Sequence, residues 1–134
     1  MYKLELTDAQ LQVVKVALEE YFRIEYNQWG DVADRLAMIG VDFSPENPRH
    51  KEIFNAYIEK RNDVQIVLEA AGRILWPHYN TNPKSDEALI AEDIWATIRH
   101  QLWKDDPNRN QLSVDASPAF QMSSEPLPKC VKID

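Results

Sequence analysis

Tryptophan and arginine recur along one predicted helix at a spacing that suits a small anionic ligand. Trp95, Arg99 and Trp103 stand at i, i+4 and i+8, so their side chains share one helical face. This spacing predicts a guanidinium between two indoles, an arrangement that can bind a purine base or a phosphate. In the alternative interpretation, the indoles fill the core while Arg99 extends to solvent.

Two further polar groups extend this candidate site, and a second arginine stands apart from it. Asp93 and His100 form a neighbouring line on the same helix. Arg61 lies on the apolar stripe of the preceding helix, between Tyr57 and Val64. Because isolated burial of a charge is very costly, Arg61 must reach solvent or meet a partner. That partner is either a carboxylate of this fold, or an anionic ligand or neighbouring subunit.

Arg23 and the loop before the fourth helix supply further candidates. Arg23 lies on the polar face of the first helix, where Glu19 is its i,i+4 neighbour, and this pairing favours a solvated face. In the loop, the side chains of Tyr79, Asn80 and Asn82 can hydrogen-bond a base edge, or can simply form turns.

The motifs of common catalytic and metal sites are missing from the sequence. The three histidines lie in different segments without ligand-spaced partners, and no G-x-S-x-G elbow occurs. The three glycines are too far apart for a phosphate-binding loop. Cys130 is the single cysteine, which permits no internal disulfide and no C-x-x-C site. We therefore expect no enzyme, no metal and no cofactor.

Composition indicates a globular, acidic chain. It has 134 residues, 44% of them hydrophobic, and 15 basic against 22 acidic side chains for a net charge of −7. Such a chain can bury a core in one domain, and its charge argues against binding a nucleic-acid polymer. No stretch resembles a signal peptide or a membrane span, so we expect a soluble, intracellular protein without a membrane partner.

Hydrophobic periodicity and capping signals predict four helices that position the candidate residues. Thr7 and Gln10 form a capping box, Asn47-Pro48 and Ser85 are helix starts, and glycines 30 and 40 are helix ends. The predicted helices run from about residue 8 to 29, 31 to 39, 49 to 75 and 85 to 103.

The two ends of the chain carry strand signals. Residues 1–6 alternate apolar and polar side chains, and 111–115 and 129–133 are short strand candidates in a proline-rich arm over 105–134. We expect the arm to pair with the N-terminal strand or with a neighbouring subunit. The predicted fold class is therefore α+β: one domain over 1–134, mostly α, with four helices and a small antiparallel β ribbon.

Several segments resemble a family of small phage proteins that includes the first-described type of Thoeris anti-defence protein. The segments are Leu6-Thr7, Leu18 to Arg23, Gln28, Asp93-Ile94, Ile98-Arg99-His100, Leu102, Asp105, Val114-Asp115 and Glu125 to Pro128. Members of that family bind and sequester cyclic ADP-ribose isomers made by bacterial immune enzymes, and some also hold cyclic oligonucleotides.

The resemblance implies roles for individual residues. Arg99 and Asn82 would contact the ligand, and Trp76 or Tyr79 would supply a stacking aromatic. Arg23, with Gln28 nearby, would face an oligomer axis and bind cyclic nucleotide phosphates. One departure is that the family's loop before the fourth helix contains glycine, whereas residues 78–83 here do not.

The sequence thus predicts a non-enzymatic phage protein that captures a cyclic nucleotide in the host cytoplasm as a homo-oligomer, either a dimer or a hexamer built from dimers. Two other hypotheses remain open. The acidic surface could instead inhibit a host defence enzyme by binding it, or the chain could be a structural or assembly accessory protein of the phage.

Overall fold

The computed structural model describes residues 2–77 and 84–133, and helices dominate both ranges. They are α1 (Asp8–Glu25), α2 (Trp29–Met38), α3 (His50–Leu75) and α4 (Asp86–Asp105), followed by a short 3-10 turn at Val114–Ala116. The chain divides into two compact units. One comprises Met1–Phe22 with Lys84–Asp134, and the other comprises Arg23–Pro83.

The prediction of an α+β fold is wrong, because the described residues contain helices and no strand. The molecule is all-α. Of the three predicted strands, 111–115 instead leads into the 3-10 turn, where the Ser113 hydroxyl accepts a hydrogen bond from the Asp115 amide at 3.1 Å. The other two, predicted at 1–6 and 129–133, form no backbone hydrogen bond between their described residues and the rest of the described chain. Alternation of side chains does not make a strand without a paired backbone.

The predicted helix starts are confirmed at α1 and α4. The Thr7 amide donates to Gln10 Oε1 at 2.9 Å and the Gln10 amide donates to Thr7 Oγ1 at 3.3 Å, which is the reciprocal pattern of a capping box. At α4, Ser85 Oγ accepts from the Ala88 amide at 3.0 Å. Both caps satisfy amide groups that have no carbonyl partner within the helix.

The first helix ends four residues earlier than its periodicity predicts. Asn27 adopts a left-handed φ of 56°, which is typical of the residue just after a helix. The Asn27 amide donates to the Ile24 carbonyl, and the Gln28 amide donates to the Arg23 carbonyl at 2.8 Å. These two bonds form a Schellman motif, so α1 stops at Glu25 and α2 begins at Trp29.

The unit of residues 23–83 is built from α2 packed on α3. Its buried side chains are Tyr26, Trp29, Val32, Ala33 and Ala37. Opposite them, Gly72 is buried in α3. A Cβ at Gly72 would collide with Trp29 Nε1 and Asn27 Oδ1, so the missing side chain is what lets α3 approach the turn between α1 and α2.

The other unit has a small core of short side chains around α4. Its buried apolar residues are Phe22, Ala88, Ala91, Ala96 and Ile98. The edge of the Phe22 ring meets Trp95, with ring centroids 5.3 Å apart. Across the described part of the chain, no helix is both long and apolar enough to traverse a bilayer.

Candidate functional site

Arg99 and Trp95 form the stacked pair that the sequence spacing predicts. The guanidinium carbon of Arg99 lies 4.6 Å from the centroid of the Trp95 ring, which is within cation–π distance. Asp115 approaches from the arm, with its Oδ1 3.4 Å from Arg99 Nε. The Arg99 side chain is 18% exposed, so the guanidinium is largely buried and contacts both an indole and a carboxylate.

The prediction that Arg99 lies between two indoles is wrong in one respect, because Trp103 has other partners. The His100 ring stacks on Trp103 at 5.7 Å and 16°, and the Arg109 guanidinium lies 5.5 Å from the Trp103 ring. The indole nitrogen of Trp103 donates to the Asn110 carbonyl at 2.8 Å. The loop after α4 therefore covers Trp103, and Arg99 stacks on Trp95 alone.

His100 links the two stacked pairs. Its Nδ1 lies 3.0 Å from the carbonyl oxygen of Asp115, and a carbonyl only accepts, so Nδ1 carries the hydrogen. Since the Asp115 carboxylate contacts Arg99, this one arm residue holds both Arg99 and His100. We call Trp95, Arg99, His100, Trp103 and Asp115 the α4 cluster.

Two donors of the α4 cluster have no acceptor. Trp95 Nε1 and Arg99 Nε are both buried, and neither forms a hydrogen bond with a residue that the structure describes. Buried donors without acceptors are uncommon and costly in native proteins. The α4 cluster is thus an aromatic and cationic group in which two buried donors lack an acceptor.

Asp93 is the predicted site residue whose oxygens are already used by the chain. It is 2% exposed, and its Oδ1 accepts from the Met122 amide at 2.7 Å. Its Oδ2 accepts from the amide and the hydroxyl of Ser123, at 3.0 and 2.6 Å. These three bonds fasten the C-terminal arm to α4, which indicates a structural role for Asp93.

Arg61 pairs with a carboxylate of its own chain, which is one of the two alternatives that the sequence left open. Its Nε lies 2.8 Å from Asp34 Oδ1, and the Tyr57 hydroxyl donates to the same oxygen at 2.8 Å. This hydrogen bond, with burial and the Asp34 charge, raises the pKa of Tyr57 above its ordinary value, and Arg61 opposes the shift. The Asp34–Tyr57–Arg61 group joins α2 to α3.

Arg23 and Gln28 also lie together. Arg23 Nη1 donates to Gln28 Oε1 at 2.6 Å, and Arg23 Nε lies 3.1 Å from Asp31 Oδ2. These contacts bridge the end of α1 and the start of α2, so both residues support the turn at Asn27. Trp76 closes α3, and its ring lies 6.0 Å from that of Trp29.

The predicted site residues therefore separate into two sets. Trp95, Arg99, His100, Trp103 and Asp93 belong to the unit that contains α4, whereas Arg23, Gln28, Arg61 and Trp76 belong to the unit of residues 23–83. The predicted contacts of Tyr79, Asn80 and Asn82 lie outside the described residues.

A cavity of about 440 Å³ lies on a different side of α4 from the cluster. It is bordered by residues 3–6, by α1, by α4 and by residues 128–133. Its aliphatic lining is Leu4, Leu6, Leu11, Val14, Ile94, Ile98, Leu102, Val131 and Ile133. Cys130 also lines it, and burial, followed by the charge of Asp105, raises the pKa of the thiol.

Sequence reasoning missed the residues that complete these groups. Asp115, Asn110 and Arg109 come from the arm, and Asp34 comes from α2. Ser113-x-Asp115 is a turn signal that could have placed Asp115 near α4, whereas nothing in the sequence marks Asp34 as the partner of Arg61.

Among residues 2–77 and 84–133, no three His, Cys, Asp or Glu side chains converge as metal ligands would. Comparison of the chain with protein-family models, with curated proteins and with solved structures finds no match. The site must therefore be interpreted from its own geometry.

Proposed function

We propose that the protein binds a small anionic nucleotide and sequesters it without degrading it, as a phage counter-defence protein. The resemblance noted in the sequence suggests a cyclic ADP-ribose isomer as the ligand, and cyclic oligonucleotides as further ligands. This function requires recognition of a base and of phosphate oxygens, and it requires no nucleophile, general base or metal.

The observation that carries the proposal is the Arg99 guanidinium, whose carbon lies 4.6 Å from the centroid of the Trp95 ring and whose buried Nε has no hydrogen-bond acceptor among the described residues. A guanidinium suits phosphate oxygens because its N–H groups form a planar fork of donors. The half-buried His100 ring is the aromatic group that this proposal assigns to stacking a base. Asp115 holds Arg99 through a 3.4 Å contact, a distance that leaves the cation available to a stronger acceptor.

Titration calorimetry tests this function. Cyclic ADP-ribose isomers and cyclic di- and trinucleotides should be titrated into the wild type, Arg99→Lys and Arg99→Gln. We expect Arg99→Gln to weaken binding about 10- to 100-fold, since a charge-assisted hydrogen bond contributes about 1.5–3 kcal/mol. Arg99→Lys keeps the charge but loses the planar fork of donors, so its affinity for the nucleotide should lie between that of the wild type and that of Arg99→Gln.

Arg73→Lys is the matched control, because Arg73 lies exposed in the last turn of α3 and belongs to the other unit. It should leave affinity unchanged. If none of the nucleotides gives heat with the wild type, the proposed function is wrong. If binding survives Arg99→Gln intact, the assignment of the site is wrong while the function stands.

Mass spectrometry of ligand recovered after denaturing the complex distinguishes capture from turnover. Sequestration predicts recovery of the nucleotide with unchanged mass. Conversion of the nucleotide would contradict it, and a stoichiometric protein partner in place of a nucleotide would favour inhibition of a host enzyme.

We also propose that the chain works as a homo-oligomer, a dimer or a hexamer built from dimers, in the host cytoplasm. Large apolar side chains are exposed in both units, including Ile74 and Phe120 at about 80%. Burial of side chains of this size against a second copy would favour association. Native mass spectrometry measures the subunit number, and a protein that stays monomeric would contradict this part.

A further inference from the structure

Residues 2–6 form an extended segment with an unpaired backbone and two largely exposed apolar side chains. Tyr2 is fully exposed and Leu4 is 75% exposed. The amides and carbonyls of this segment form no backbone hydrogen bond with any described residue. The segment borders the aliphatic cavity beside α1 and α4, so its unpaired backbone groups lie next to apolar surface. A row of unpaired amides and carbonyls is a template for pairing with another chain.

The sequence of the segment is complementary to itself when two copies run antiparallel. With Leu4 opposite Leu4 of a second copy, Tyr2 faces Leu6, and Lys3 faces Glu5. Because side chains alternate between the two faces of a strand, all apolar pairs share one face and both ion pairs share the other. Oppositely charged residues directly across a strand pair are stabilising, and like charges are destabilising.

Lys3 and Glu5 are free to make this exchange. Within one copy they contact each other at 2.8 Å, with their side chains 79% and 64% exposed. An exposed pair of this kind contributes little to stability. On pairing, the Lys3–Glu5 ion pair within each chain is replaced by two Lys3–Glu5 ion pairs between the chains, and this replacement costs little. The pairing also gives hydrogen-bond partners to the backbone groups and covers Tyr2 and Leu4.

We propose that residues 2–6 of two copies of this chain pair antiparallel around a two-fold axis at Leu4. The strand forms only on association, which is why a single copy has none. The two-fold axis makes the interface closed, so the product is a dimer and not an open chain. The inference specifies the oligomer of the proposed function and is independent of its ligand.

Charge exchange at positions 3 and 5 tests the register. Lys3→Glu places four carboxylates across the pairing, and Glu5→Lys places four ammonium groups there. We expect each to raise the dimer dissociation constant about tenfold. The double variant Lys3→Glu/Glu5→Lys restores both ion pairs and should dimerise like the wild type. An equimolar mixture of the two single variants should form the heterodimer.

Sedimentation equilibrium measures these constants, and three results would overturn the proposal. The first is a wild type that remains monomeric up to roughly 1 mM. The second is a dissociation constant that the single variants leave unchanged. The third is a double variant as weak as the single ones, since that outcome would show that the charges do not face each other.

Cysteine cross-linking tests the axis itself, in a Cys130→Ser background that removes the native thiol. Leu4→Cys places its sulfur opposite its own copy, at the ~4.5–5.5 Å Cα separation of directly opposed residues, which a disulfide can span. Tyr2→Cys is the matched control, because its own copy lies four residues further along the strand, about 13 Å away.

In a glutathione buffer, Leu4→Cys should form a disulfide dimer at least about tenfold faster than Tyr2→Cys. A mixture of Tyr2→Cys and Leu6→Cys should link as a heterodimer. Equal rates for Leu4→Cys and Tyr2→Cys would overturn the register. Titration of nucleotide into the Lys3→Glu variant separates the dimer proposal from the nucleotide proposal. A variant that no longer dimerises but still gives heat of nucleotide binding would show that the interface and the ligand site are independent.

Discussion

Asp93 shows how the chemistry of one residue is settled by its neighbours. Its position beside His100 and Arg99 on α4 suggests a ligand contact, but the structure directs both of its oxygens to the arm. The amides of Met122 and Ser123 and the Ser123 hydroxyl supply three donors to a carboxylate that is almost fully buried. A buried carboxylate requires such donors, so this bonding also explains how the charge is tolerated.

Asp93→Asn should destabilise the protein by about 1–3 kcal/mol, because an amide nitrogen would then face a donor of Ser123. Ser123→Ala removes one donor and leaves the two amides, so it should cost less, about 0.5–1.5 kcal/mol. Urea unfolding followed by circular dichroism measures both. Glu125→Gln is the control, because Glu125 is an exposed residue of the same arm. It should leave the free energy of unfolding unchanged. A fully stable Asp93→Asn would contradict the structural role.

Tyr57 should ionise at higher pH than an ordinary tyrosine. Its hydroxyl donates to Asp34, and this bond is the largest cause of a raised pKa. The pKa of Tyr57 is raised because only its neutral, protonated hydroxyl can donate this hydrogen bond to Asp34. The stability that this hydrogen bond adds to the folded protein is fully present below the ordinary tyrosine pKa of 10.0. It is lost as the pH rises through the pKa of Tyr57 in the folded state.

The difference in absorbance near 295 nm between the wild type and Tyr57→Phe isolates this ionisation, and helicity measured in parallel marks any unfolding. Asp34→Asn should move the transition back toward the ordinary value. A Tyr57 that ionises at or below that value in the folded wild type would contradict the assignment.

Residue spacing predicted the α4 cluster only in part. The i, i+4 relation placed Trp95 and Arg99 on one face, and they do stack. The same relation could not indicate that Trp103 would be occupied by His100 and Arg109, because Arg109 and Asn110 reach it through a turn. Helical periodicity describes neighbours within a helix, and it carries no information on which loop returns to cover them.

At the scale of elements, the contact between α3 and the turn after α1 depends on one missing methyl group. Gly72→Ala should lower the free energy of unfolding by about 1–3 kcal/mol, because the added Cβ overlaps Trp29 Nε1 and Asn27 Oδ1. This penalty opposes the higher helix propensity of alanine, which favours it by about 1 kcal/mol.

Gly30→Ala is the matched control, since a Cβ there would meet only Arg61 Nη2 at an ordinary 3.7 Å. It should leave stability unchanged or raise it by up to about 1 kcal/mol. Thermal and urea unfolding of the two variants side by side measure the contrast. Equal effects would show that close packing at Gly72 is not limiting.

Helices were predictable from this sequence because their signals are local. The Thr7–Gln10 box and the Ser85 cap lie within one turn of the helices they start. The end of α1 was misplaced because Asn27, and not Gly30, adopts the left-handed conformation. The strands at 2–6 and 129–133 were wrong for the opposite reason: a strand requires a partner elsewhere, and alternation does not reveal whether one is present.

At the scale of the whole molecule, the net charge of −7 disfavours the binding of a nucleic-acid polymer more than the binding of one small nucleotide. We expect no binding of a labelled single- or double-stranded oligonucleotide at physiological salt, because such binding requires several cations along a phosphate backbone. Fluorescence polarisation provides the measurement. Micromolar binding with a steep dependence on salt would contradict this expectation, which does not extend to the single small anion that we propose for Arg99.

The four tryptophans divide evenly between the two units, and this division makes each unit optically distinct. Trp29 and Trp76 form a tilted pair with ring centroids 6.0 Å apart, close enough for their transitions to couple in near-ultraviolet circular dichroism. Trp95 lies next to a cation and Trp103 next to an imidazole, so these two indoles emit from surroundings unlike those of the Trp29–Trp76 pair. Heating the unlabelled protein while recording dichroism and fluorescence together would therefore follow each unit by its own signal.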